Sequence, residues 1–130
     1  MDKMKDMALL VGRVLLALMF VMAGWSKIGG YAGTQGYMEA MGVPGFMLPL
    51  VILLELGGGL AVVLGLFTRS IAVLLAGFTL MAAFIFHYQP ADQMQMLMFM
   101  KNVSVAGGFL ALAAAGAGAF SLDARLGKNW

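Results

Sequence analysis

The sequence predicts an all-α membrane protein, a bundle of four transmembrane helices with a short interfacial helix between the first and the second. Hydrophobic residues make up 62% of the 130 and charged residues only 11%, where a soluble domain carries roughly 25% charged residues. Four apolar runs approach the length of about 20 residues that a membrane-crossing helix needs. Polar residues, Gly and Pro gather between those runs.

The runs fall at 7–25, 46–67, 70–88 and 96–120, so that a single four-helix membrane domain accounts for the whole of 1–130. They are long and rich in Leu, Ala and Met, without the alternating ten-residue segments of a membrane barrel, and therefore read as helices. The first is too long for the apolar core of a cleaved signal peptide. It also contains Arg13 and lacks a small-x-small cleavage site around Gly24, Trp25 and Ser26. In the connector 29–45, Thr34 is placed to N-cap a short helix through Met41, with Gly42 to end it and Pro44 to prevent its continuation. A faint internal similarity links 58–69 with 107–125, where a Gly pair opens an apolar run that ends in a basic residue.

Charge sets the expected orientation. Lys3, Lys5, Arg69, Arg125 and Lys128 fall on one side, and Lys27 and the interfacial Lys101 on the other. Short cytoplasmic loops retain Lys and Arg, so both termini are expected in the cytoplasm. Trp25, Tyr31, Tyr37 and Tyr88 mark the opposite boundary, as interfacial aromatics do.

Small residues mark where helices approach in lipid. Stripes at helical spacing run through Arg13, Ala17, Phe20, Gly24 and Lys27; Glu55, Gly59, Val62 and Arg69; Ala72, Ala76, Thr79, Ala83 and His87; and Lys101, Ser104, Gly108, Ala111 and Ala115. Each stripe carries polar groups, which predicts a polar, closely packed bundle centre.

Composition excludes several functions. The chain has no Cys, which removes disulfides, a CxxC redox pair, iron–sulfur clusters and thiolate zinc sites. One histidine cannot build a His-only metal cluster, so no metal site is expected. Eight scattered cations form no stripe for nucleic acid. Met94, Met96, Met98 and Met100 repeat with period two, which spreads their sulfurs around a helix instead of converging them on copper(I).

Among the polar residues, Glu55 lies roughly 12 Å inside its span and must be paired or protonated. Lys101, Lys27 and Arg13 are its candidate partners, and Lys101 is favoured. Arg13 is expected to snorkel toward the headgroups, and Arg69 to act as a topology determinant in its turn. His87 shares the outer leaflet with Glu55, Lys101 and Asn102, a set able to bind the carbonyls of a small polar head whose apolar tail lies in the bilayer.

The ordered set Arg13, Gly24, Lys27, Gly42, Pro44, Glu55, Gly58, Thr68-Arg69, His87, Lys101-Asn102, Gly107-Gly108 and Ser121-Leu122-Asp123 resembles the DoxX family of small four-helix inner-membrane proteins, over about 10–125. The resemblance implies a bacterial inner-membrane location and a connection to quinones, since the family is associated with quinol oxidation and thiosulfate:quinone oxidoreduction. The plan is also similar to vitamin K epoxide reductase bundles, but the absence of Cys removes their thiol relay. No intrinsic electron carrier is expected.

Three readings follow. In the first, a quinone-type molecule binds in the outer half and the chain serves a membrane redox assembly as an oxidoreductase subunit. With Glu55 and His87 as the candidate catalytic residues, Glu55 then exchanges a proton, Lys101, Asn102 and His87 donate hydrogen bonds to the head group, Lys27 joins the ligand-binding set, and Trp25 forms an aromatic wall. In the second, the chain is a scaffold for a partner subunit or a second copy of itself. The third is a small transporter, opposed by the limited room among four packed helices.

Overall fold

A computed structural model describes residues 3–128. Its elements are α1 (Lys3–Gly29), α2 (Tyr31–Ala40), α3 (Gly45–Leu64), α4 (Thr68–His87), α5 (Gln93–Ala115) and the single-turn α6 (Leu122–Arg125). The helices α1, α3, α4 and α5 are each long and apolar enough to cross a membrane, and α2 is the short helix between the first two. Two of the four contain a widened turn. In α3 it spans Leu53–Gly57, and in α4 it spans Ala83–His87. Both have the i→i+5 hydrogen bonding of a π-helix, a local form that recurs at functional sites.

The four long helices form a ring. Contacts are densest between α4 and α5 and between α1 and α3, and the α3–α4 and α1–α5 seams close it. Ala17, Phe20, Val62, Ala72, Leu75, Ala76, Ala106, Phe109 and Leu112 fill the centre. Phe20 and Phe109 meet edge to face at 5.4 Å across the α1–α5 seam, the geometry that aromatic quadrupoles favour.

Glycine sets the α1–α3 distance. A Cβ on Gly24 would lie 2.8 Å from the Leu56 nitrogen, and one on Gly59 would lie 3.2 Å from the Val21 nitrogen. Without an apolar driving force between helices in lipid, such backbone proximity is the main source of attraction. Most of each expected stripe is interior here: Arg13, Ala17, Phe20 and Gly24 are buried on α1, Glu55, Gly59 and Val62 on α3, and Ala72, Ala76, Thr79 and Ala83 on α4, whereas the stripe-end residues Lys27, Arg69 and His87 are only half-buried.

On α5 the expected face is wrong. Lys101, Ser104, Ala111 and Ala115 are exposed, and the interior is lined by Asn102, Ala106, Phe109 and Leu112. The error is one residue, a rotation of about 100° on a helix of 3.6 residues per turn. It arose from placing Lys101 and Ser104 inside because they are polar, on a helix that is apolar nearly all round. The large Phe109 and Leu112, which fill the centre, set the register instead.

Helix ends also differ from expectation. The last span stops at Ala115, not at 120, because Gly116 and Gly118 both take φ +85° and break the helical path. In the connector, Thr34 does not cap. The helix starts at Tyr31, and the Thr34 amide already donates to the Gly30 carbonyl. Gly42, at φ +85°, closes it as expected.

Candidate functional site

Charged groups collect at the two ends of the bundle. At the end that holds Lys3 and Lys128, they bind the backbone. The Arg13 side chain does not snorkel; it is fully buried. Its Nη1 donates to the carbonyls of Val62 and Val63, each at 3.0 Å, and its Nη2 donates to the Phe120 carbonyl. Val63 is among the carbonyls at the C-terminus of α3 without an intrahelical partner, and the Val62 carbonyl also accepts the Gly65 amide, so Arg13 acts as an internal cap, in a place where a cation also complements the helix dipole. Gly65 makes room for it. At φ +74°, its backbone favours glycine, and a Cβ there would lie 2.6 Å from Arg13 Nη1.

Asp123 works from the opposite direction. Its Oδ1 accepts the Phe67 amide at 2.8 Å and its Oδ2 accepts the Thr68 amide at 2.9 Å. It thereby caps the start of α4 from a distant part of the chain. The Asp123 amide in turn donates to the Gly65 carbonyl. Phe67 is held at φ 52° in the same turn, a conformation uncommon outside glycine. Arg69 Nη1 lies 3.3 and 3.2 Å from the Ala113 and Ala114 carbonyls and caps α5. Asp6 accepts the Ala119 amide. Residues 116–128 thus form a clasp under the ends of all four long helices.

The connector end is arranged differently. Glu55 pairs with Lys27, with Nζ 2.7 Å from Oε1 and the two side chains 8% and 27% exposed. This overturns the favoured partner Lys101, which lies on the exposed face of α5. Lys27 stands in the last turn of α1, and its long apolar stem lets the ammonium reach Glu55 in the widened turn of α3. His87, at the end of the widened turn of α4, has Nδ1 2.8 Å from Gln95 Oε1. Tyr37 of α2 stacks on Phe86 at 5.4 Å and lays the connector helix over this turn.

The structure therefore brings Lys27 to Glu55 and joins His87 to Gln95. Asn102 is buried, Trp25 is 71% exposed, and Lys101 stands apart from the Glu55 pair. Sequence reasoning missed Asp6, Asp123 as a cap, and Gln95. The one usable signal was Ser121, whose Oγ accepts the Ala124 amide and marks a helix start beside Asp123. Among the described residues no group of three or more His, Cys, Asp or Glu is arranged to hold a metal ion.

A ring of four membrane-length helices, with charged side chains engaged inside both ends, defines a small multi-pass membrane protein. The chain belongs to the DoxX family, whose model matches residues 8–88. It is 59% identical to the "Inner membrane protein YqjF" of Escherichia coli (strain K12), over the full length of both. It is 41% identical to "Inner membrane protein YphA" of the same organism, covering 93% of this chain and 91% of that one. A shorter match, 38% identical over 65% of this chain and 63% of the relative, is to "Putative oxidoreductase CatD" of Bacillus subtilis (strain 168). No solved structure matches it.

Proposed function

We propose that the protein resides in the bacterial inner membrane, binds a quinone or similar lipophilic molecule at the connector end, and serves a membrane redox assembly. The observation that carries this reading is the Lys27–Glu55 pair, an ion pair set in a widened turn and open to the outside only through Lys27. The residues fit such a guest. An ammonium and an imidazole suit carbonyl oxygens, and a partly exposed site at the bundle edge leaves an apolar tail in the bilayer. The location draws on the names of the two Escherichia coli relatives, and the redox role on the name of the Bacillus subtilis one.

When bound, a quinone supplies two-electron, two-proton carrier chemistry, with the electrons exchanged through a partner subunit. This chain's part is to bind and to manage protons. Lys27 donates to the head group, Glu55 releases or accepts a proton as its partner turns toward the guest, and the His87 imidazole is a second candidate for proton exchange. Trp25 lies on the outer surface two residues from Lys27 and borders the route from lipid. In this reading both termini lie in the cytoplasm, which is supported by the gathering of Lys3, Lys5, Arg69, Arg125 and Lys128 at one end.

The test is to purify the protein in mild detergent and analyse co-extracted lipids by mass spectrometry. Quinone should be present in the parent and depleted in Glu55→Gln and Lys27→Met. Reproducible absence, with no binding on titration, would sink the idea. The scaffold reading draws its support from the exposed small-residue face of α5, Ser104, Ala111 and Ala115, and predicts a stoichiometric partner or second copy in native mass spectrometry. The centre filled by Phe20, Leu75 and Phe109 argues against a transporter.

A further inference from the structure

The connector half of the bundle interior holds two polar side chains beyond the Lys27–Glu55 pair. Thr79 of α4 is 2% exposed, and its Oγ1 has no hydrogen-bond partner, not even the carbonyl one turn earlier that a helical threonine commonly takes. Asn102 of α5 is 7% exposed, and its amide enters no hydrogen bond among the described residues. Buried polar groups are rarely left unpaired, and each exception marks strain, chemistry or a bound partner.

Register brings the two together. His87 hydrogen-bonds Gln95 and Arg69 reaches the Ala113 carbonyl, so α4 and α5 are aligned at both ends. Thr79 stands eight residues before His87, and Asn102 seven after Gln95, which puts them within about 2 Å of one level at 1.5 Å per residue. Glu55 joins that level. A Cβ on Gly58 would lie 3.6 Å from Leu75 Cδ2, and one turn from that contact toward the connector end stand Glu55 on α3 and Thr79 on α4. The buried apolar cluster reaches toward this end only as far as Phe20, Val62, Ala76 and Ala106. Beyond it, three helices bury a carboxylate, a hydroxyl and an amide, and exposure falls from 27% at the Lys27 side chain to 2% at Thr79.

We propose that Thr79 and Asn102 bind the second carbonyl of the guest, an inference that rests on the quinone reading above. A quinone head carries two carbonyl oxygens on opposite sides of one ring, and a hydroxyl and an amide N–H both donate to such an oxygen. Lys27 takes the carbonyl nearer the surface, and Thr79 with Asn102 takes the one that points inward. The two residues thereby select a dicarbonyl head over a lipid with one carbonyl, because a single oxygen held by Lys27 leaves both inner donors unpaired.

Titration calorimetry of the full chain in detergent tests this, with a decyl-tailed para-benzoquinone and with a decyl-tailed cyclohexenone, which keeps one carbonyl. The parent should bind the benzoquinone about tenfold more tightly than the cyclohexenone. Thr79→Val and Asn102→Leu should each weaken benzoquinone binding about fivefold and leave the cyclohexenone unchanged. Thr79→Ser, which keeps the hydroxyl, should bind like the parent, and Lys27→Met should weaken both probes. Benzoquinone affinity unchanged in Thr79→Val and Asn102→Leu, or equal affinity of the parent for the two probes, would overturn the inner carbonyl site and leave the Lys27–Glu55 site standing. Equal losses for both probes in those variants would overturn it too, by showing that the residues only support the packing. A parent that binds neither probe would overturn the quinone reading itself, and this inference with it. Should Asn102→Leu fail to fold, the comparison of Thr79→Val with Thr79→Ser decides, with a loss confined to Thr79→Val and to the benzoquinone expected, and equal affinity in the two variants against the proposal.

Discussion

The two ends of the bundle use charge in opposite ways. Around the clasp, Arg13, Asp123, Asp6 and Arg69 bind peptide carbonyls and amides at helix ends and in the segment that follows α5. At the connector end, Glu55 meets Lys27 and His87 meets Gln95, side chain to side chain. A charge that caps a helix cannot leave without exposing the backbone beneath it. One that faces only another side chain can exchange partners or protons while the helices stay intact. The first arrangement supports the fold, and the second is suited to chemistry.

The largest effect should follow from Arg13→Met, which strands the carbonyls of Val63 and Phe120 and leaves that of Val62 only the Gly65 amide. A loss of about 3 to 5 kcal/mol is expected in detergent unfolding. Arg13→Lys should recover little, because an ammonium lacks the planar fork that reaches several acceptors. Asp123→Ala comes next, at about 2 kcal/mol, for the loss of both amide acceptors at the start of α4. Asp123→Asn keeps one acceptor and should restore roughly half of that. If either variant unfolds no more easily than the parent, the clasp is not what secures this end.

At the other end the effects should be smaller and coupled. Glu55→Gln and Lys27→Met should each lower the unfolding temperature, equivalent to about 1 to 2 kcal/mol, and the double variant should recover about 1 kcal/mol. The same cycle run with Lys101→Met should be additive. Coupling to Lys101 in place of Lys27 would reverse the assignment of the pair. Least of all, Lys101→Gln alone should stay within about 0.5 kcal/mol of the parent, as a substitution on an exposed face does.

The long helices were legible because a bilayer imposes length and apolarity that hydropathy reads directly. Three interior faces were legible because Ala and Gly at helical spacing mark close approach, as Gly24 and Gly59 show at the α1–α3 seam. The face of α5 was not, since polarity does not distinguish a lysine that looks inward from one that snorkels along the outside. Glu55 was recognisable as a buried carboxylate needing a partner. Choosing Lys27 over Lys101 required knowing the rotation of α5 and the reach of a lysine stem. The clasp was hidden for another reason. Asp123 and Phe67 are 56 residues apart, and their hydrogen bond has no local signature. Nor do the widened turns, which depend on how neighbouring helices pack.

Trans-capping by Asp123 has a consequence for biogenesis. Because synthesis runs from the N-terminus, α1, α3 and α4 are made before residues 116–128. Until then the first amides of α4 lack their acceptor, and the Arg13 fork lacks the Phe120 carbonyl. The fold is therefore sealed by a segment that follows all four long helices in the chain, and a chain arrested after α5 would carry those four helices yet leave their ends at this side without the clasp. Those uncapped amides and carbonyls distinguish a molecule without its clasp from one that has it.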